Sequence, residues 1–414
     1  MRDIYDKINK NLLHDFKSRI SLILCFSVLY FQCTSHILPT SNKTGTIILT
    51  GADQTEKYFP LLKGKRIGLV INQTSIIGEY HIVDYLQAKN FNIKKIFAPE
   101  HGFRGDNPDG ATILDGIDKK TGISIVSLYG LKKAPNAKDL SDIDIVVFDI
   151  QDVGTRFYTF LSTLKYVMEA CAMNNKPLII LDRPNPNGQY IDGPVLDMKF
   201  ASFVGVIPIP IVHGMTLGEL ARMMNGEHWL QNGLQCNLTV IPCHDYKHSM
   251  KYSLPVIPSP NLPNDLAIAL YPSLCLFEGT NVSIGRGTDM QFQIYGSPFL
   301  PVSGFEFIPM SNTGSANPPF QGQVCKGIDL SYLDIDSIRR QKKINLTYLL
   351  DAYKQFRNKD KFFLPTLYFD KLAGTDSLRK MIENGNDEQT IRASWLEGLE
   401  KFRKIRSNYL LYSD

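Results

Sequence analysis

An acid, an imidazole and a guanidinium fall within five positions in Pro99-Glu100-His101-Gly102-Phe103-Arg104-Gly105, directly after an apolar run. The two glycines let the backbone approach a ligand closely. A glutamate at the end of a buried strand, partly shielded from water, is placed to act as a general acid, with His101 tuning or orienting it. A helix-capping loop held by ion pairs is the structural alternative. A second loop, Asp149-Ile150-Gln151-Asp152-Val153-Gly154-Thr155-Arg156-Phe157-Tyr158-Thr159, again leaves an apolar run, and its acids, Gln151, Arg156 and Tyr158 are directed at the same crevice. Asp152 also fits a plain ion-pair partner of Arg156, and Tyr158 an ordinary aromatic contact. In Asp182-Arg183-Pro184-Asn185-Pro186-Asn187-Gly188, Arg183 and Asn185 are ligand-binding candidates, although a turn of Pro, Asn and Gly has a structural reason of its own. His213, before a helix, and Asn72, after the first apolar run, complete that set. Farther on, Glu278-Gly279-Thr280-Asn281 and Gly285-Arg286-Gly287-Thr288 form two polar, glycine-rich turns. They fall near a domain junction, where clefts form, so Glu278 and Arg286 are candidates as well.

The elements that must position these residues repeat one unit from Lys65 onward. Apolar runs at 67–71, 93–98, 123–128, 144–150 and 177–182 alternate with helical patterns around His81–Lys89 and Phe157–Met173. Runs rich in Ile and Val, apolar on both faces and linked by helical crossovers, predict an open α/β domain with a parallel sheet covered on both sides. Ligands of such sheets sit beyond the carboxyl ends of the strands, where the polar motifs lie. Thr216 with Glu219 three residues on predicts a capped helix, and 255–263 an irregular loop. From about Leu270 the texture changes to short strands, glycines and a few helices, including 346–357 and Glu388–Arg406, which predicts a smaller α+β domain. The expected division is a leader at 1–33, a tether at 34–50, the α/β domain at 51–268 and the α+β domain at 269–414.

The chain has 414 residues, 43% hydrophobic and 21% charged, which is a globular composition. A net charge of +4 over this length gives no warrant for a nucleic-acid partner. Arg2, Lys7, Lys10, Lys17 and Arg19 precede the apolar run Ile20–Phe31. That run is well below the ~18 residues of a membrane span, so it reads as an export signal, placing the protein in the periplasm or on a membrane facing it. Cys33 follows the run directly, so lipid attachment there and ordinary signal cleavage are both open. The later cysteines, at 171, 236, 243, 275 and 325, are scattered and fit buried thiols better than a disulfide framework. Cys236, Cys243 and His244 match no common zinc spacing. The first strand is followed by no Gly-x-Gly-x-x-Gly and no Gly-Lys-Ser/Thr, so neither a metal nor a nucleotide cofactor is expected.

Taken in order, Pro-Glu-His-Gly-Phe-Arg-Gly, Asp-Val-Gly-Thr-Arg-Phe-Tyr-Thr, Asp-Arg-Pro-Asn-Pro and Phe-Glu-Gly-Thr-Asn with Gly-Arg-Gly-Thr resemble the NamZ, or YbbC-like, family of exo-β-N-acetylmuramidases. The resemblance runs from about residue 50 to the end. It implies a Rossmann-like first domain, a smaller second one with the site in the cleft between them, and removal of single N-acetylmuramic acid residues from the non-reducing ends of peptidoglycan fragments. Glycoside hydrolysis usually needs a proton donor and a second carboxylate. Glu100 fits the donor, and Asp149, Asp152 and Glu278 are candidates for the second role, with the substrate's acetamido group as a further nucleophile. The lactyl carboxylate of the sugar suits a guanidinium fork, which makes Arg104, Arg156 and Arg286 specificity candidates. Two rivals remain: a non-catalytic exported binding protein for amino sugars, and a metal hydrolase built on His101, Asp149 and His213.

Overall fold

The computed structural model describes residues 47–100, 102–104 and 115–414. The expected leader, Cys33, most of the tether, His101 and Gly105 lie outside them. Residues Ile48–Asp414 form one compact unit.

Seven strands of the described residues make one sheet: β1 (Arg66–Ile71), β2 (Asn92–Ala98), β3 (Gly116–Ile117), β4 (Ser124–Ser127), β5 (Ile145–Asp149), β6 (Leu178–Leu181) and, after two strands outside it, β9 (Leu238–Ile241). Their spatial order is β9-β6-β5-β1-β2-β4-β3. Every neighbouring pair is parallel except the β3–β4 edge. The five predicted runs are β1, β2, β4, β5 and β6. The missed β9 is an edge strand with alternating exposure, which gives a short, weak signal. β7 (Asp192–Val195) and β8 (Pro210–Val212) pair in a separate ribbon. In the Pro-rich stretch their pattern is masked.

Successive side chains of a strand point to opposite faces, and the core divides accordingly. Ile67, Leu69, Ile71, Val147 and Ile179 pack with Tyr58 and Leu62 of α1 (Thr55–Leu62) and Val83 and Leu86 of α2 (Ile82–Ala88). On the other face Val70, Val146, Phe148 and Ile180 meet Leu164 and Val167 of α3 (Phe160–Met173) and Leu220 of α4 (Leu217–Gly226). This second core continues without a break into the C-terminal part, through Leu270 and Leu274 of α5 (Asp265–Leu274) to Phe277, Phe369 and Phe402. There a three-stranded antiparallel sheet, ordered β10 (Ile294–Ser297), β12 (Cys325–Asp329) and β11 (Phe305–Phe307), is surrounded by helices. The five described cysteines are all unbridged and buried.

Local signals explain most boundaries. The predicted box at α4 forms in full: Thr216 accepts from the backbone N–H of Glu219, whose carboxylate in turn accepts from that of Thr216. Two predicted helices differ from expectation. The one expected from Phe157 begins at Phe160, because Arg156 N–H donates to Ile211 and Tyr158 N–H closes a turn onto Thr155. The one expected over Glu388–Arg406 is two helices, Glu388–Ala393 and Leu396–Arg406, and the Ser394 hydroxyl bonds back to Ile391 at the break. The first difference matters for the site, since it frees the side chains of 157–159 from the helix.

Candidate active site

A cavity of about 790 Å³ opens where the loops after β2 and β5 meet the C-terminal part. Glu100, two residues past the end of β2 and within the turn that Gly102 N–H closes onto the Pro99 carbonyl, reaches its wall. Thr159 sits at the N-cap of α3 but does not cap it; its hydroxyl donates instead to Glu100 Oε2 at 2.8 Å. Across the cavity Glu278 lies in the tight turn Cys275–Gly279, and Arg286 Nε donates to its Oε1 at 2.6 Å. The Tyr158 ring forms part of the wall and its hydroxyl is held by the Pro258 carbonyl at 2.9 Å. Phe203, Tyr271, Phe277 and Phe320 extend the aromatic surface. Gly279 fits this junction because a side chain there would meet the Phe369 backbone at 2.4 Å.

Of the residues singled out by sequence, then, Glu100, Tyr158, Glu278 and Arg286 come together on one cavity, and the other described ones do not line it. Asp149 and Arg183 instead form a buried bidentate pair, Nε to Oδ1 at 2.6 Å and Nη2 to Oδ2 at 2.9 Å. Burial pushes the Asp149 carboxyl up while the guanidinium pulls it back. Arg104 turns away to Asp118, at 2.8 Å from Nη2. Arg156 is fully buried and its guanidinium ends on three backbone carbonyls, those of Pro194, Ile209 and Leu372, at 2.7–2.9 Å. Burial pushes it down to about 9, still above neutral, so a cation holds these carbonyls at pH 7. Neither of these two expected carboxylate binders lines the cavity: Arg104 is paired with Asp118 and Arg156 with backbone carbonyls.

Asn72, Gln151 and Asn185 are a framework between loops. Asn72 Oδ1 accepts from the Thr74 N–H at 2.9 Å, Gln151 Nε2 donates to Pro184 at 2.7 Å, and Asn185 Nδ2 to Met215 at 2.8 Å. Loops covered by another part of the chain lose water, and their backbone groups need such partners. Gly154, at φ 83°, passes so close to Asn185 that a side chain would lie 2.1 Å from its Oδ1.

Asp152 is buried, accepts from the Gly154 N–H at 2.7 Å, and stands 3.9 Å from His213 Nε2. Burial pushes Asp152 up to about 7 and His213 down to about 3. The Met215 N–H points at His213 Nδ1, so the ring proton is assigned to Nε2, facing Asp152. A raised carboxyl stabilises the fold fully below its unfolded value of ~3.9, and that contribution is lost as the pH rises through about 7. Relative to Asp152→Asn, the wild-type melting temperature is therefore expected to fall between pH 4 and pH 8; a gap independent of pH would show that the carboxyl is not displaced.

Thr159 stands inside a motif noted in the sequence without a role of its own. Lys371 and Tyr368, which also line the cavity, come from the short helix α6 (Tyr368–Ala373), where a lysine reads as an ordinary solvated face. No group of three or more His, Cys, Asp or Glu side chains able to hold a metal occurs among the described residues.

Aromatic walls with a few placed acids and cations are the make-up of a site for a small polar ligand, set at the strand ends of an open α/β sheet. Sequence models of exo-beta-N-acetylmuramidase NamZ match this chain over residues 67–266 (N-terminal) and 269–412 (C-terminal). The chain belongs to that family. It is 40% identical over 384 residues to the peptidoglycan beta-N-acetylmuramidase NamZ of Bacillus subtilis (strain 168), covering 88% of this chain and 91% of that one. Two crystal structures of DUF1343 family proteins from Bacteroides fragilis NCTC 9343 are similar to it. One has a TM-score of 0.83 at 50% identity, covering 89% of this chain and 100% of the other. The second has a TM-score of 0.71 at 30% identity, with 88% and 99% covered.

Proposed function

We propose that this protein is an exo-acting glycosidase that releases single N-acetylmuramic acid residues from the non-reducing ends of peptidoglycan fragments, with Glu100 as general acid and Glu278 as the second carboxylate. One observation carries the assignment of roles: of the four acids directed at the crevice by sequence, Glu100 and Glu278 are the two that line the cavity. Family membership and the Bacillus subtilis relative support the substrate class.

In this reading protonated Glu100 gives its proton to the glycosidic oxygen as the bond to the anomeric carbon breaks. The Thr159 hydroxyl fixes the rotamer of the carboxyl group without consuming its other oxygen. Glu278, oriented by Arg286, either attacks the anomeric carbon or takes a proton from the attacking water, after which Glu100 serves as base or is reprotonated accordingly. The aromatic walls accept the apolar faces of the pyranose ring and keep water from the reacting bond. The leader at 1–33 supports export to the compartment where wall fragments occur, either as a soluble protein or tethered through a lipid on Cys33.

The purified mature chain is expected to liberate free N-acetylmuramic acid, and no larger product, from the disaccharide N-acetylmuramyl-N-acetylglucosamine, with the rate unchanged by a chelator. Binding of the disaccharide without release would hand the site to the sugar-binding reading, and loss of rate with the chelator to a metal hydrolase.

A further inference from the structure

Resting on that proposed function, we propose that Lys371 is the specificity residue that reads the lactyl carboxylate of the muramic acid residue. N-Acetylmuramic acid differs from N-acetylglucosamine by this one charged ether, so a site selective for it needs a cation not already committed within the protein. Four charged residues line the cavity among those described: Glu100, Glu278, Arg286 and Lys371. Arg286 is engaged by Glu278 at 2.6 Å, and that pair is neutral as a unit. Arg104, Arg156 and Arg183, the other guanidinium groups of these motifs, are engaged by Asp118, by backbone carbonyls and by Asp149. Lys371 makes no hydrogen bond or ion pair among the described residues.

The backbone that carries it is nevertheless fixed. Arg156 Nη2 donates to the Leu372 carbonyl at 2.9 Å, and the Asp197 N–H to that of Gly374 at 2.9 Å. Leu364 N–H donates to the Gly279 carbonyl at 3.0 Å, and Phe369 packs on Gly279, which ties α6 to the turn that bears Glu278. The adjacent acid, Asp370, is occupied by Arg379 from Nε and Nη2, both at 2.9 Å, and does not compete for the lysine. An ammonium on a flexible stem suits a carboxylate that itself swings on an ether, where a rigid fork would demand one geometry. Closure of a sugar over the cavity lowers the local dielectric and strengthens the pair relative to a surface contact. Arg156, read from sequence as a carboxylate binder, thus acts as the positioning residue for the helix whose lysine does the binding.

The test is a cycle between enzyme and substrate. Wild type, Lys371→Gln and Lys371→Arg are each given the 4-nitrophenyl glycoside of N-acetylmuramic acid and the methyl ester of that glycoside, which keeps the shape and removes the charge. Wild type is expected to prefer the acid about five- to tenfold through KM, the scale of one partly screened ion pair. Lys371→Gln should treat acid and ester alike, and Lys371→Arg should recover part of the preference. The same cycle is run as equilibrium binding of free N-acetylmuramic acid and its methyl ester, so absence of turnover in wild type counts against the hydrolase alone. A preference that survives in Lys371→Gln, or a wild type that does not distinguish acid from ester in either assay, overturns the proposal; the first of these outcomes would point to Arg286.

Discussion

Glu100→Gln is expected to lower kcat on a natural saccharide leaving group by ~10²–10⁴-fold, the usual worth of a positioned proton donor, while KM changes little. Glutamine keeps the shape and can still accept from Thr159 through its amide oxygen, so the bond of 2.8 Å to the loop survives. What disappears is the proton. The leaving group provides the decisive comparison. A sugar alkoxide cannot depart unprotonated, whereas 4-nitrophenolate is stable enough to leave with little help. The loss should therefore be much smaller on the 4-nitrophenyl glycoside than on the disaccharide. Equal losses on both substrates would assign Glu100 to attack or to orientation, and unimpaired turnover would remove it from the chemistry.

The second large effect concerns stability. Asp149 was a candidate for the second carboxylate by its place at the end of β5, yet both its oxygens are held by Arg183 in a fully buried pair. Arg183 also donates to the Ile76 carbonyl at 2.9 Å, which pins the small hairpin Ile76–His81 to the strand ends. Removing one partner of a buried pair leaves the other charge uncompensated, which costs roughly 3–5 kcal/mol. Asp149→Asn is expected to lose that much in urea unfolding, while kcat of the folded fraction stays within about tenfold of wild type. The double variant Asp149→Leu with Arg183→Met should recover much of the loss, because no charge remains to be compensated. A single variant as stable as wild type but inactive would return Asp149 to the reacting centre.

Several layers of this molecule were legible before any coordinates. The five central strands declared themselves because both faces of each are buried, which demands runs of Ile, Val, Leu and Phe. The capping box at Thr216 is local chemistry over three residues. The cavity lies where the motifs after β2 and β5 point, since a parallel sheet directs its loops to one edge. Edge strand β9 and the ribbon of β7 and β8 were not legible, because half-exposed or Pro-rich strands lack that signature.

Within the site, sequence by itself determined the residue types available and the strand end from which Glu100 projects, along with the motifs that carry the family resemblance. Only the tertiary structure decided which of the polar residues line the cavity. Asp149 and Asp152 carry the same group as Glu278, and Arg156 the same group as Arg286, yet a cavity lies before one set and the interior encloses the other. The reason is that a buried polar group must find a partner, and the partners come from segments far apart in the chain. Arg156 reaches the carbonyl of Leu372, 216 residues on, and Asp149 meets Arg183 from the next strand. A charge so engaged is structural, while Lys371, unremarkable on its short helix, acquires its place at the cavity from that same long-range clasp.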